Sequence, residues 1–506
     1  MEALRVHSRD APDRSAVKDP ERELSYAELR DEVALVAGAL LGEGAAAGDR
    51  VVLLLANSTD FVVAALATLW IGAAFVPLAV DDPVERLARI VADCAPAVIV
   101  ARDARVRGVE AVCRGRRTPV VTMAGLRRAS LAPAPPRPAG SRTSYLIYTS
   151  GTTGLPKGVV IGSPAFAAAV GATARALGCD ATTRALCVSP FHFDGSFGTL
   201  FPTLLAGGTV VIRPREVLLF VRPFFDAIGR EAITLTGFSP SYLRLLIASK
   251  AIASLARSTL RTVAVGGEAS SAADLRALWN AAPALRIFNR YGPTETAIAV
   301  THARLTLETI ADGNVPIGFP HDGVSFYLAR ADGTLIDGPG EIGELCIAGV
   351  QVMSGYWGAP TLTEAVLRDD IVPGRTVYRT GDLAYRDEIR GYFFVERADQ
   401  VLKRRGVRIS LVEINEAMRD ISGASAVASV AYDDVDGTGI AAFVVGGHDP
   451  SDLRERARAR LPEPMLPDRV VIVDVLPLTA AGKVDERRLL SGAGLTRDRR
   501  DRLRAT

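Results

Sequence analysis

The chain has 506 residues, 48% hydrophobic and 23% charged, with a formal net charge of +2. That length and balance describe a globular protein of two or three domains and leave no global attraction to nucleic acid or to a membrane surface. Five cysteines, at 94, 113, 179, 187 and 346, form no Cys-x-x-Cys pair; this argues against a zinc site or disulfide framework and fits a reducing cytoplasm. Only five of the 59 basic residues are lysines (Lys18, Lys157, Lys250, Lys403 and Lys483), and three of them lie in glycine-containing motifs. Lysine offers a compact point charge on a flexible stem, so these positions are candidates for chemistry.

Charges from Glu2 onward leave no apolar signal-peptide core. Residues 24 to 140 alternate helical stretches with short apolar runs: Leu24-Ser-Tyr-Ala-Glu-Leu29 opens a helix, and Arg50-Val-Val-Leu-Leu-Leu55 and Ala97-Val-Ile-Val100 are buried strands. The alternation predicts a layered α/β domain. Phe61 to Val80 runs twenty residues without a charge, but Gly72 and Pro77 break it; it reads as a buried helix followed by a core strand rather than a membrane span. Leu131 to Ser144, with its Ala-Pro repeats, reads as a solvated linker.

Leu146-Ile-Tyr-Thr-Ser-Gly-Thr-Thr-Gly-Leu-Pro-Lys157-Gly158 follows: a buried strand entering a tight loop whose backbone N–H groups and hydroxyls can surround phosphate oxygens. Gly151 and Gly154 permit close approach to a ligand, and Lys157 supplies positive charge to a polyphosphate. It is not a Walker A loop, which needs four residues between its glycines and a Ser/Thr directly after the lysine. Further on stand Pro190-Phe-His-Phe-Asp194-Gly-Ser-Phe-Gly198, Val263-Ala-Val-Gly266-Gly-Glu268, Asn289-Arg-Tyr-Gly-Pro-Thr-Glu-Thr296, Ile342-Gly-Glu-Leu-Cys-Ile-Ala-Gly349, Val352-Met-Ser-Gly-Tyr-Trp357, Tyr378-Arg-Thr-Gly-Asp382, Arg397-Ala-Asp-Gln-Val-Leu-Lys-Arg-Arg-Gly406 and Pro477-Leu-Thr-Ala-Ala-Gly-Lys483-Val-Asp485. Asp194 is not expected to be deeply buried without a cationic partner. Asp382, after a glycine turn, is suited to accept both hydroxyls of a ribose. The C-terminal part mixes short strands with an arginine-rich helix from Asp452.

The run from Tyr148 to Gly158, with the others in order after it, resembles the adenylate-forming enzymes: acyl-CoA synthetases, luciferases and the amino-acid adenylation domains of nonribosomal assembly lines. The resemblance covers nearly the whole chain. It implies a large N-terminal layered α/β domain (1–396), a hinge (397–400) pivoting at Asp399, and a small mobile α+β C-terminal domain (401–506). It also implies ATP and Mg²⁺ as cofactors. Thr149, Ser150, Gly151, Thr152, Thr153, Gly154 and Lys157 would hold phosphates, Tyr291 and Gly292 the adenine side, Thr294 a phosphate, Glu295 the Mg²⁺, and Asp382 and Arg397 the ribose or phosphate. Lys483 would be the catalytic lysine carried by the small domain. Glu396, where the family usually has glycine, and Val401, where Gln or Met is common, depart from the pattern and leave the details of hinge motion open.

In amino-acid adenylation domains the aspartate matching Asp194 holds the substrate ammonium. The family's specificity positions carry over to Asp194, Gly195, Gly198, Gly237, Ala264, Gly266, Arg290, Ile298 and Ala299. Most are tiny, so the pocket is either roomy or filled by its neighbours. Arg290, if it points inward, requires an anion, and a second substrate carboxylate is the natural partner; the other reading turns it to solvent. The expectation is a stand-alone, cytoplasmic enzyme that activates an acidic amino acid, aspartate-like or 3-methylaspartate-like, for a separate acyl or peptidyl carrier protein. A CoA ligase for a carboxylic acid would use the same lysines without needing Asp194, and a non-catalytic nucleotide-binding scaffold is the third alternative.

Overall fold

The computed structural model describes residues 1–82, 84–102, 118–129, 132–134, 143–150, 156–214, 220–398, 402–404, 407–409, 411–434, 437–447, 449–458, 461, 465–479 and 483–495. Two largely parallel sheets form the N-terminal part. One has eight strands, running from Thr301–Arg304 through Arg286–Tyr291, Thr262–Gly266, Leu235–Phe238, Arg184–Cys187 and Thr209–Ile212 to Ser15–Lys18 and Glu23–Ser25. The other has seven, with Arg50–Leu54 between Ala74–Pro77 and Val98–Ala101, and the hairpin Thr143–Ser150/Pro156–Gly162 toward one edge.

Both faces of each sheet are buried, which is why their strands read as continuous apolar runs. Val51 and Leu53 point into a core shared with Val210 and Ile212 of the eight-stranded sheet. Val52 and Leu54 point the opposite way, onto Leu87 and Ile90 of the helix Val84–Cys94. The helices Tyr26–Gly42, Thr59–Trp70, Ser163–Leu177 and Phe197–Leu205 contribute to the shared core, so the predicted α/β layering is the observed one. An antiparallel six-stranded sheet built from residues 324–397 adds a third body. Residues 411–495 carry hydrophobic clusters of their own, around Ile414, Met418 and Val444 and around Tyr432, Phe443 and Leu490.

Two local expectations are corrected. The first helix of the alternating region starts at Tyr26, not Leu24. Leu24 lies in the strand Glu23–Ser25, and Ser25 caps the helix in a capping box with Glu28. The stretch 131–144 is not a solvated linker throughout: Trp70 Nε1 donates to Ala134 O at 2.8 Å, Ala134 is buried, and Thr143 and Ser144 already belong to a strand. The charge-free run at 61–80 divides as predicted into the helix Thr59–Trp70 and the strand Ala74–Pro77. No helix among the described residues is long and apolar enough to cross a membrane. The four described cysteines, Cys94, Cys179, Cys187 and Cys346, are free, and burial pushes each thiol up to about 12.

Candidate active site

The strands Thr143–Ser150 and Pro156–Gly162 pair antiparallel with Ser150 opposite Pro156. Gly151, Thr152, Thr153 and Gly154, between them, lie outside the described residues, and Ser150 is described by its backbone alone. Thr149 Oγ1 is buried with no hydrogen-bond partner among the described residues, a hydroxyl that a ligand oxygen would satisfy. Beyond the loop, Lys157 Nζ donates to Tyr356 Oη at 2.6 Å and lies 3.2 Å from Glu295 Oε1, while Tyr356 Oη donates to the same Glu295 oxygen at 2.8 Å. The ammonium also sits 4.1 Å from the Tyr356 ring centroid. Burial, reinforced by Glu295, raises the Tyr356 hydroxyl above its ordinary value and keeps it a donor. Tyr356 stands in the run Val352–Trp357, and nothing in its spacing signals that it joins Lys157 to Glu295.

Tyr291 ends the strand Arg286–Tyr291 and donates from Oη to Asp382 Oδ2 at 2.5 Å. Arg397 Nη1 meets the other oxygen, Oδ1, at 3.1 Å. The structure therefore brings Tyr291, Asp382 and Arg397 together. Gly292 has a steric reason: a Cβ there would lie 2.5 Å from Ala299 Cα and 2.9 Å from Val300 N. Tyr378, not singled out in the sequence, is buried, and its hydroxyl is raised by that burial and by the negative charges of Glu295 and Asp382 around it.

Asp194 opens a short 3-10 turn and is 8% exposed, contrary to the expectation that it would need a cationic partner to be buried. Instead Thr294 Oγ1 donates to Oδ1 at 3.2 Å and Ile298 N donates to Oδ2 at 3.4 Å. Burial still outweighs these bonds and pushes the carboxyl up to about 6. The Ile298 N–H is aimed by an unusual turn in which Ala297 and Ile298 have φ of 56° and 67°, a region costly for residues with a Cβ.

Arg290 points inward. Its side chain crosses Gly266, where a Cβ would stand 2.3 Å from Arg290 Cγ, and reaches Gly198, where a Cβ would stand 2.9 Å from Nη1; Gly237 and Gly195 complete the trough. The small residues of the pocket thus make room for one guanidinium. Arg290 is 9% exposed, and its one hydrogen bond among the described residues runs from Nη1 to Gly195 O at 3.0 Å. Burial lowers its pKa against the opposing influence of Asp194.

A chain of polar residues missed in the sequence lies behind this pocket. His302 Nδ1 and His321 Nε2 are 2.9 Å apart, His321 Nδ1 and Gln351 Oε1 3.1 Å, and Gln351 Nε2 donates to Ala299 O at 2.8 Å. Lone histidines at 302 and 321 carry no motif, so their pairing was not legible before the fold.

Lys483 is not brought to this cluster. Its side chain is exposed and its backbone closes a turn with Thr479. Asp399 lies outside the described residues. What is assembled, an orphan hydroxyl at Thr149, the ammonium of Lys157, the carboxylate of Glu295 and Asp382 beside the Tyr291 ring, suits a nucleoside triphosphate with Mg²⁺, an ion that takes one or two carboxylates and fills its remaining positions with phosphate oxygens and water.

The family model described as AMP-binding enzyme matches residues 4–357, and that of the AMP-binding enzyme C-terminal domain matches 413–483. Tyrocidine synthase 1 of Brevibacillus parabrevis is 31% identical over 484 residues, which are 94% of this chain but 43% of that protein. Novobiocin biosynthesis protein H of Streptomyces niveus is 33% identical over 499 residues, 94% of this chain and 80% of its own length. Among solved structures, a four-domain nonribosomal peptide synthetase bound to AMP and glycine superposes with TM-score 0.83 at 28% identity, covering 96% of this chain and 36% of that one. The amide bond synthetase McbA of Marinactinospora thermotolerans gives 0.82 at 25% identity, covering 97% and 99%. The chain thus spans less than half of the first curated relative, while the two family matches fall on both of its parts and include Lys157, Asp194, Tyr291, Glu295 and Lys483. By these matches the chain belongs to the AMP-binding enzyme family, the ATP-dependent, AMP-forming ligases that work with Mg²⁺.

Proposed function

We propose that the protein activates an acidic amino acid, aspartate-like or 3-methylaspartate-like, as its acyl-adenylate and passes the aminoacyl group to the phosphopantetheine thiol of a separate carrier protein. The observation that carries this reading is a buried guanidinium that forms no salt bridge among the described residues: its one hydrogen bond there goes to the Gly195 carbonyl, and Asp194 acts on it only from beyond ion-pairing distance. A buried cation of this kind calls for an anion, and Asp194, close by, calls for a cation. An amino acid with a second carboxylate supplies both, its ammonium to Asp194 and its distal carboxylate to Arg290.

The chemistry follows from charge. A carboxylate attacking the α-phosphate of ATP must overcome repulsion between two anions, so positive charge is needed where the transition state gathers negative charge. Lys157 serves the β- and γ-phosphates, and Tyr356 keeps it directed toward Glu295. Glu295, together with the phosphates, would hold Mg²⁺, which would supply positive charge to offset that of the departing pyrophosphate. Asp382, with Tyr291 and Arg397, fixes the ribose. Lys483 completes the site from the small domain through a lid-type movement, and its withdrawal admits the thiol.

Pyrophosphate exchange into ATP across α- and β-amino acids, dicarboxylic amino acids and plain carboxylic acids tests this. Exchange confined to acidic amino acids is expected. Exchange only with acids lacking an amine would replace the reading with a CoA ligase, and an Arg290→Ala enzyme that kept its preference for dicarboxylic substrates would remove Arg290 from the pocket.

A further inference from the structure

Gly266, Arg290 and His302 are register partners on three adjacent strands. Residues directly opposed across an antiparallel pair project to the same face with Cβ atoms about 4.5–5.5 Å apart. His302 therefore stands beside Arg290, on the side away from the glycine trough.

The hydrogen-bond chain behind it has a fixed direction. Gln351 Nε2 donates to backbone carbonyls of Thr296, Ala297 and Ala299, which leaves Oε1 as its acceptor. His321 must then donate from Nδ1, and as a neutral imidazole it accepts at Nε2 from His302 Nδ1. His302 Nε2 is left with a bare lone pair, buried and without a partner among the described residues. The charged and titratable groups around this pair are Arg290 from the neighbouring strand and His321 from the segment that follows, with Arg175 and Asp322 near His321. Burial, His321 and Arg290 all oppose a charge on His302. A proton added at Nε2 would break none of the existing bonds. An anion on Arg290 would remove one repulsion and give the new N–H an acceptor.

We propose that His302 is a second binding group for the distal carboxylate of an acidic substrate, taking up a proton from solvent at Nε2 as that carboxylate settles between it and Arg290. The proposal rests on the acidic-substrate reading above. It also makes His302 a specificity-determining residue, since a substrate without the second carboxylate gives the proton nothing to bind.

Calorimetric titration of the whole protein with L-aspartate at pH 8, in two buffers of different ionisation enthalpy, counts protons taken up; β-alanine, which lacks the second carboxylate, is the control. Asp194, pushed up to about 6, is ionised at that pH before and after binding and contributes nothing. Uptake approaching one proton per aspartate bound is expected, with none for β-alanine. The His302→Gln variant should lose the uptake and raise the KM for aspartate about tenfold, the scale of one charge-assisted hydrogen bond. Should that variant not fold, ¹⁵N imidazole spectra of the unaltered protein serve instead: aspartate must convert one neutral histidine to the cation and β-alanine must not. Aspartate binding without proton uptake, or uptake that persists in His302→Gln, overturns the role of His302 alone. No turnover with any acidic amino acid in the exchange assay overturns the acidic reading, and this proposal with it.

Discussion

Asp194 and Tyr356 differ in how far the sequence disclosed them. Asp194 was legible because its motif carried the position; its burial was not, because the two groups that tolerate it, the Thr294 hydroxyl and the Ile298 N–H, lie about a hundred residues away in the chain. Its raised pKa has a consequence with a definite sign. Binding an ammonium needs the carboxylate, so the KM for the amino acid should rise about tenfold per pH unit below about 6, while the KM for ATP measured alongside does not follow that slope. Stability runs the other way: the folded state holds this proton between about pH 4, the ordinary aspartate value, and about 6, so this one group favours folding as pH falls through that window. Tyr356→Phe removes the hydroxyl shared by Lys157 and Glu295. Hydrogen bonds to charged groups contribute about 1.5–3 kcal/mol, so kcat/KM for Mg²⁺-ATP should fall about ten- to a hundredfold in steady-state assays, with circular dichroism showing the fold retained. An unchanged Mg²⁺ dependence would reduce Tyr356 to packing.

The elements that form the pocket are strand ends and one strained turn, and glycine decides how closely they approach. Gly292→Ala would drive a Cβ against the backbone of Ala299 and Val300; overpacking of this kind costs about 1–3 kcal/mol, so the melting temperature should drop and the Ile298 turn should shift away from Asp194. Gly266→Ala meets Arg290 Cγ at 2.3 Å and its carbonyl at 2.4 Å. The guanidinium would have to leave the trough, and selectivity for dicarboxylic over monocarboxylic amino acids in the exchange assay should collapse. Strand and helix order was readable from apolar runs because both faces of each sheet are covered. The start of the helix at Tyr26 was misplaced although Ser25-x-x-Glu28 spells a capping box; the apolar Leu24 beside it belongs to an edge strand. The packing of Ala134 under Trp70 could not be seen in an Ala-Pro stretch, since a backbone carbonyl, not a side chain, makes the contact.

At the scale of the whole molecule, the part beyond residue 411 has its own hydrophobic clusters, and Lys483 sits exposed on it. A unit with its own core can reorient without losing its packing, which fits the arrival and departure proposed for Lys483. Lys483→Ala should depress pyrophosphate exchange by at least about a hundredfold, a typical loss when one group that stabilises transition-state charge is removed, while thiol attack on a supplied aminoacyl-adenylate persists. Equal loss of both steps would deny Lys483 a role confined to the first. The buried cysteines bear on the same chemistry. A mixed anhydride of a carboxylic acid and AMP acylates any thiolate it meets, and an enzyme that makes one risks modifying itself. With its described thiols pushed up to about 12, this protein holds only about one in ten thousand of them ionised at pH 8. Under the proposed reaction, the incoming pantetheine sulfur therefore faces no rival from these four cysteines, and self-acylation at them is suppressed by burial.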